Sequence, residues 1–315
     1  MNSKDFTKSK LWELNLEKNF GDFDLNNFRE IGGPNKKLGS WDPIDNSTRY
    51  FKALLYAFAE HLDTLIRYHP NLMSQKCSKD KGDGLAYFLG SMQNMNLGNP
   101  ETINFYGLQL SIDYLLSVEE MFFLHDTISE CSSVLEIGAG FGRLAHAVIE
   151  NYTHIQEYTI CDLPEMLQVS QKFLSNVLTA DQFKKINFCP NDQFHNIQSS
   201  DLCINIDSFQ EMPASVVLNY IEGISSFAKY LYSKNAICKY DPSIIGLEVN
   251  DRDEYGSALE QGLCTEVFNI YDSQELSKAR EIYLHKYCPR NFQLIKDQQS
   301  FGQYLFYHSA LFKFS

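Results

Sequence analysis

From residue 46 to residue 70, in NSTRYFKALLYAFAEHLDTLIRYHP, apolar side chains return every three or four positions, with an Asn or Ser cap candidate in front and Pro70 behind. That spacing predicts an amphipathic helix, and the charges along it rule out a membrane helix. Between Asn71 and about Phe105 the pattern dissolves into Gly, Asn, Ser and Lys, including KGDG and NLGNP, which predicts a long loop region of the kind that is commonly functional or mobile. Periodicity returns in LQLSIDYLLSVEEMFFLHDTIS, roughly 108 to 129, as a second helix. Residues 1–130 therefore read as a helical extension that serves as a lid, an acceptor surface or a dimer surface.

From Ser132 the rhythm changes. Short runs of strand-formers alternate with helical periods, as in a parallel sheet built from strand-helix-strand units. The predicted strands are 133–138 (SVLEIG), 157–162 (EYTICD), 185–190 (KINFCP), 201–207 (DLCINID) and 236–241 (AICKYD), with helices near 142–151, 164–177 and 213–230. A polar insert follows at about 242–290, with a helix at 273–287. The final runs, NFQLIKD and YLFYHSALFKF, are close enough to pair antiparallel. The expected core, residues 131–315, is thus an α/β domain with a mostly parallel seven-stranded sheet ending in an antiparallel strand.

Candidate chemistry begins at the first of these strands. It ends in SVLEIGAGFGR, where Gly138, Gly140 and Gly142 alternate before a helix. Such a turn lets backbone approach a ligand closely, because a Cβ would obstruct it. A dinucleotide turn places its third glycine three positions after the second, to seat a pyrophosphate; here that position is Arg143. The pattern E-x-G-x-G-x-G, opened by Glu136, instead resembles motif I of the Rossmann-like S-adenosylmethionine-dependent (class I) methyltransferases. An acid near the turn suits a cationic sulfonium donor.

Asp162 ends the second strand, twenty-four residues after Gly138, where an acid grips ribose hydroxyls in such folds. Asp192, in Pro190-Asn191-Asp192, stands where these methyltransferases often carry a Gly-Asp pair whose acid meets the adenine amino group. The resemblance assigns Glu136, Gly138, Ala139, Gly140, Gly142, Arg143, Asp162, Leu163, Asp192 and Asn205 to S-adenosylmethionine, with S-adenosylhomocysteine as product.

Three stretches sharpen it: EIGAGFGRLAHAV, CDLPEMLQVSQKFL and LCINIDSFQEMP resemble the bacterial sugar O-methyltransferases associated with surface polysaccharide biosynthesis, most tellingly in N-I-D-S-F-x-E-M, Asn205 to Met212. The likeness is strongest from about 132 to 232. The DLP stretch is also similar to plant-type and polyketide-tailoring O-methyltransferases, whose general base is a histidine after the fourth strand. This chain has none among Asp207, Ser208, Phe209, Gln210 and Glu211.

A sugar hydroxyl is a weak acid, so a base helps its attack. Asp207 and Glu211, at the ligand edge of the fourth strand, are the catalytic candidates, although a helix N-terminus near Pro213 stabilises Glu211 as the anion. Ser208, Tyr240 and Arg252 are expected to meet the acceptor, with Tyr240 and Asp241 ending the fifth strand. Arg252 or Lys81 would take a phosphate if the acceptor is a nucleotide sugar. His146 is expected on the surface.

Composition narrows the field. Twenty-seven basic against forty acidic residues give a net charge of −13, which disfavours nucleic acid and anionic membranes. A DNA amino-methyltransferase is disfavoured too, because the fourth strand ends in NIDSF and not in an (N/D)PPY-like clamp. The charged first twenty residues predict neither signal peptide nor membrane span, hence a cytoplasmic protein. Eight cysteines without a CxxC pair predict reduced thiols and no structural metal, although Asp162, Asp207 and Glu211 are oxygen ligands if a divalent ion is supplied. The alternatives are methylation of a small natural product, a cofactor-binding protein without turnover, and a nicotinamide oxidoreductase.

Overall fold

The computed structural model describes residues 8–9, 12–13, 24–30, 48–70, 72, 82–245, 252–302 and 305–315. The first periodic segment is helix α1, Thr48–Arg67. The glycine- and asparagine-rich stretch after it contains a helical turn at Ala86–Leu89 and the first strand, β1, Ile103–Phe105. The second predicted helix opens instead as strand β2, Leu108–Leu110, antiparallel to β1, and helix α2 runs only from Ile112 to Ser129. The reason is local. Leu108-Gln109-Leu110 alternates, and Ser111 is extended at the N-cap position, φ −103° and ψ 163°.

Helix α2 is buried on nearly every side, because α1 covers one flank, α3 (Arg143–Asn151) another, and the sheet the rest. Apolar side chains lie all round it, and its buried carboxylates are paired, Asp113 with Arg29, Glu119 with Lys234 and Glu120 with Arg143 and Lys234. The amino-terminal residues and one face of the sheet accordingly share one hydrophobic cluster, from Phe28 through Leu124 to Tyr158, Ile204 and Tyr232.

The sheet follows the sequence pattern closely: β3 (Ser133–Ile137), β4 (Glu157–Asp162), β5 (Ile186–Pro190) and β6 (Ser200–Ile206), joined by α3 and by α4 (Pro164–Val177). Helix α5, Ala214–Phe227, leads into β7, Ala228–Ala236. The fifth parallel strand is therefore KYLYSKNA and its preceding alanine, not AICKYD. Lys229, Lys234 and Asn235 hide it from an apolar-pattern reading, yet Lys234 is fully buried because Glu119 and Glu120 of α2 neutralise it from 2.7 and 3.1 Å. Buried charges are found paired in this way.

In the insert come α6 (Arg252–Glu260) and α7 (Ser273–Tyr287), the latter packed on β7 through Tyr283 Oη, 2.8 Å from Ser233 O, before β8 (Phe292–Gln299) and β9 (Tyr307–Phe314) close the sheet. Strand order is β5-β4-β3-β6-β7-β9-β8, and every strand runs in the same direction except β9, which is antiparallel to both of its neighbours, β7 and β8. This is a Rossmann-like core whose direction of winding reverses between β3 and β6, and it is the class I methyltransferase fold. Ligands bind such sheets at the carboxyl ends of the strands, at the reversal. Among the described residues no helix is long and apolar enough to cross a membrane.

Candidate active site

The glycine turn lies at that reversal. All three glycines have positive φ: +74° at Gly138, +59° at Gly140 and +91° at Gly142. They differ in what surrounds them. A Cβ on Gly138 would lie 2.1 Å from Ser208 Oγ, whereas one on Gly140 meets nothing within 4 Å. Gly138 thus admits the β6 turn, and Gly140 faces open space. Gly138→Ala should lower stability by about 2–4 kcal/mol through overpacking and left-handed strain. Gly140→Ala should cost about 1 kcal/mol of stability and instead lose ligand affinity. Urea unfolding with calorimetric titration separates the two; equal destabilisation would contradict this account of the turn.

Asp162, at the end of β4, braces the turn. Its Oδ2 accepts from Gly140 N–H at 3.0 Å and its Oδ1 from Leu163 N–H at 2.8 Å. Burial outweighs these bonds and pushes its pKa up to about 7. Pro164 at the first helical position suits the start of α4 behind it. Ala139, buried in the turn, gives its carbonyl to Gly142 N–H at 3.0 Å. Asp192 is exposed in a 3-10 turn, Asn191–Asn196, beyond β5 on the same edge.

Of the residues assigned to the donor, Glu136, Arg143 and Asn205 point elsewhere. Glu136 is only 3% exposed and accepts from Tyr158 Oη at 2.7 Å, so it sits beneath the turn, where burial raises its pKa to about 7. Arg143 extends from the first position of α3 towards α2, where Nη1 and Nη2 meet Glu120 at 2.6 and 2.9 Å. This pair ties the turn to the same buried cluster that neutralises Lys234.

Across the reversal, β6 delivers the other candidates. Asn205 is a brace: its Nδ2 donates to Ile137 O at 3.0 Å and to Ser208 Oγ, and its Oδ1 accepts from Asn235 Nδ2 at 2.9 Å. The Ser208 hydroxyl donates to Ile137 O at 3.1 Å and so also fastens β6 to β3.

Asp207 adopts φ +66°, a left-handed conformation that Asp and Asn tolerate better than most residues. Tyr307 Oη donates to its Oδ1 at 2.6 Å, and Gln210 Nε2 donates both to that carboxylate and, at 2.6 Å, to Tyr307 Oη. Burial raises the pKa of Asp207 while the Tyr307 bond lowers it. Glu211 lies in the next turn, Phe209–Glu211, and its Oε2 accepts from Trp12 Nε1 at 2.9 Å.

Because β7 ends at Ala236, Tyr240 and Asp241 do not terminate a sheet strand. Tyr240 is half-buried with its ring 5.1 Å from that of Phe306, and Asp241 is exposed and caps Ser243 N–H at 2.9 Å. Arg252 opens α6, but its side chain and the whole of Lys81 lie outside the described residues. His146 is buried, contrary to expectation, because α2 covers the face of α3 that the pattern left to solvent. Its Nδ1 lies 2.6 Å from Tyr114 Oη, and burial lowers its pKa to about 3.

No protein-family model and no curated protein sequence matches this chain. Among solved structures it is similar to the mitomycin 7-O-methyltransferase MmcR, at 13% identity and a TM-score of 0.41, with 64% of this chain and 57% of that one covered. The chain thus spans little more than half the length of that enzyme. It is also similar to the methyltransferase domain of bacterial CtHen1-C, at 13% identity, TM-score 0.45, and 65% and 100% coverage. A third is the glycopeptide N-methyltransferase MtfA in complex with S-adenosylmethionine, at 14% identity, TM-score 0.41, and 63% and 87% coverage.

Four side chains around the site receive no role in the sequence reading. Tyr307 comes from β9, a hundred residues beyond Asp207, and no local signal marks it. Gln210 lies within the quoted N-I-D-S-F-x-E-M stretch as its unspecified position. Lys239 is half-buried, with one long hydrogen bond among the described residues, 3.4 Å to Gln210 O; burial depresses its pKa against the pull of Glu211 and Asp207. Trp12 arrives from the amino terminus. Among the described residues no group of three or more His, Cys, Asp and Glu side chains is gathered to hold a metal ion.

Proposed function

We propose that this chain is an S-adenosylmethionine-dependent O-methyltransferase whose acceptor is a sugar hydroxyl, carried by a nucleotide sugar or a surface-glycan precursor. The observation that supports it best is the pairing of Gly140, open to solvent, with Asp162, whose carboxylate already orders that turn. A nucleoside fits this cradle: the Asp162 carboxylate accepts from backbone N–H groups of the turn and retains acceptor capacity for ribose hydroxyls. When bound, the donor supplies an electrophilic methyl group. The chain's part is alignment and proton removal.

In this reading Asp207 takes the proton. It sits at the carboxyl end of β6, next to the glycine turn, with Oδ1 fixed by Tyr307 and Gln210. Glu211 and Lys239, on either side of the same turn, are suited to hold neighbouring acceptor groups. The acidic surface and the absence of histidine at 207–211 favour a sugar over nucleic acid or a phenol.

Incubation with methyl-labelled donor and a panel of nucleotide sugars tests the reading. The expected product is a sugar nucleotide one methyl group heavier, with the label on oxygen. Transfer confined to nitrogen or phenolic acceptors would overturn the sugar assignment.

A further inference from the structure

Two thiols face each other at the edge of the sheet. Cys161 on β4 and Cys189 on β5 are register partners in a parallel pair, so their side chains stand on the same face. Their sulfurs are hydrogen-bonded to one another, and the hydroxyl of Tyr220 on α5 also meets the Cys161 thiol. Strand β5 is the outermost of the sheet on this side. Cys161 is accordingly 1% exposed, whereas Cys189 is half-buried, with its sulfur 3.5 Å from the Pro190 carbonyl.

This arrangement divides the labour of an oxidation. The half-buried thiol can meet a dissolved oxidant, and the enclosed one can meet only its neighbour. The bond from Cys161 favours the Cys189 thiolate and lowers its pKa, against burial and the charge of Asp192. Neighbouring strands lie about 4.8 Å apart, inside the range of roughly 4.4–6.8 Å that a disulfide spans between Cα atoms. Side chains held parallel across a ladder must still draw together to reach the Cβ separation of a disulfide, roughly 3.8 Å, and a bridge strained in this way is readily reduced.

We propose that Cys161 and Cys189 form a reversible disulfide, which makes the edge between β4 and β5 a modification site for a peroxide. The Cys189 thiolate attacks the peroxide, the O–O bond breaks, and a sulfenic acid and one water result. The Cys161 sulfur then attacks Cys189, the S–S bond forms as the S–O bond breaks, and a second water leaves. Two thiols are oxidised and one hydrogen peroxide is reduced; a dithiol reverses the bridge by exchange. The bridge bears on the glycine turn, because the Cys161 carbonyl accepts from Gly138 N–H at 2.9 Å and the next register pair is Asp162 and Pro190. Its effect on the donor, unlike the bridge itself, rests on the donor reading above.

The native chain, treated with dilute hydrogen peroxide, alkylated and digested without reduction, should yield a linked peptide pair, Cys161 with Cys189, that disappears after dithiothreitol. Cys189→Ser should yield none, and Cys161→Ser should leave Cys189 as a sulfenic acid that a dimedone probe traps. Cys189 oxidised in the native chain while Cys161 is still alkylated, or Cys189 linked to another cysteine, would overturn the bridge. Calorimetry on the same samples reads its effect on the donor site. S-adenosylhomocysteine should bind the oxidised native chain about tenfold more weakly than the reduced one, within the usual range for coupled sites, and should bind Cys189→Ser equally before and after peroxide. By reciprocity, saturating ligand should raise the midpoint potential of the bridge by about 30 mV. Equal affinity of the oxidised and reduced chains would overturn the coupling, whereas no binding to the reduced chain would remove the donor reading and leave the bridge standing.

Discussion

Asp207→Asn should slow methyl transfer by about 10²- to 10⁴-fold, the usual contribution of a positioned base, with S-adenosylhomocysteine affinity unchanged. Asparagine is the informative replacement because it tolerates the left-handed backbone at this position, φ +66°, and can still accept from Tyr307. What it cannot do is take a proton. Burial raises the Asp207 pKa, which brings its basicity closer to the working range, and the Tyr307 hydroxyl works against that rise.

The sign of the pH dependence follows. Turnover should climb with pH as Asp207 loses its proton. Tyr307→Phe removes an interaction that favours the anion, so the climb should move to higher pH. Single-turnover rates between pH 5 and 9 check both statements; an Asp207→Asn enzyme at full rate would transfer the role of base elsewhere.

Arg29→Met should destabilise the fold by about 3–5 kcal/mol, the cost of stranding a buried charge by removing its partner. The guanidinium is wholly enclosed. Nε and Nη2 bond Asp113 Oδ2 at 3.0 and 2.7 Å, Nη2 also reaches Ser111 Oγ at 2.8 Å, and Nη1 takes the carbonyls of Met95 and Leu97 at 2.7 and 2.9 Å. It also lies 5.2 Å from the ring centre of Phe141, the residue between Gly140 and Gly142. Loss of Arg29 should therefore weaken S-adenosylhomocysteine binding as well as folding. Adding Asp113→Leu should restore part of the stability, since the stranded charge goes too. Urea midpoints of the three proteins measure this, and a stable Arg29→Met would show that the cluster is not a keystone of the turn.

Much of the parallel core is legible in the sequence because its strands are short apolar runs closed by turn residues, and the glycine turn is legible because only glycine accepts its backbone angles cheaply. β7 was misplaced for a physical reason. Lys234 and Asn235 are polar in the sequence but buried through partners on other elements, Glu119 on α2, 115 residues from Lys234, and Asn205 on β6, 30 residues from Asn235. No pattern along one segment carries that information. His146 failed in the same way, since the helix that covers it lies earlier in the chain.

At the site, the family resemblance lists the residues carried by strand ends, but not their division of labour. Asn205 and Ser208 brace β6 against β3, Glu136 and Arg143 turn inward, and Asp162 and Asp207 remain at the edge with raised pKa values. Tyr307, Arg29 and Trp12 were invisible because each reaches the site from a remote part of the chain.

The claim on which the rest depends is that the Gly140–Asp162 cradle takes the methyl donor. Calorimetric titration of the native chain and of Asp162→Asn with S-adenosylhomocysteine, with NAD as comparison, tests it most directly. Burial places the Asp162 pKa at about 7, and the ionised form accepts from both ribose hydroxyls. The account predicts binding of S-adenosylhomocysteine and not of NAD, tightening as pH rises through 7, with the affinity reduced and its pH dependence flattened in Asp162→Asn. Preference for NAD, or binding indifferent to Asp162, would contradict it.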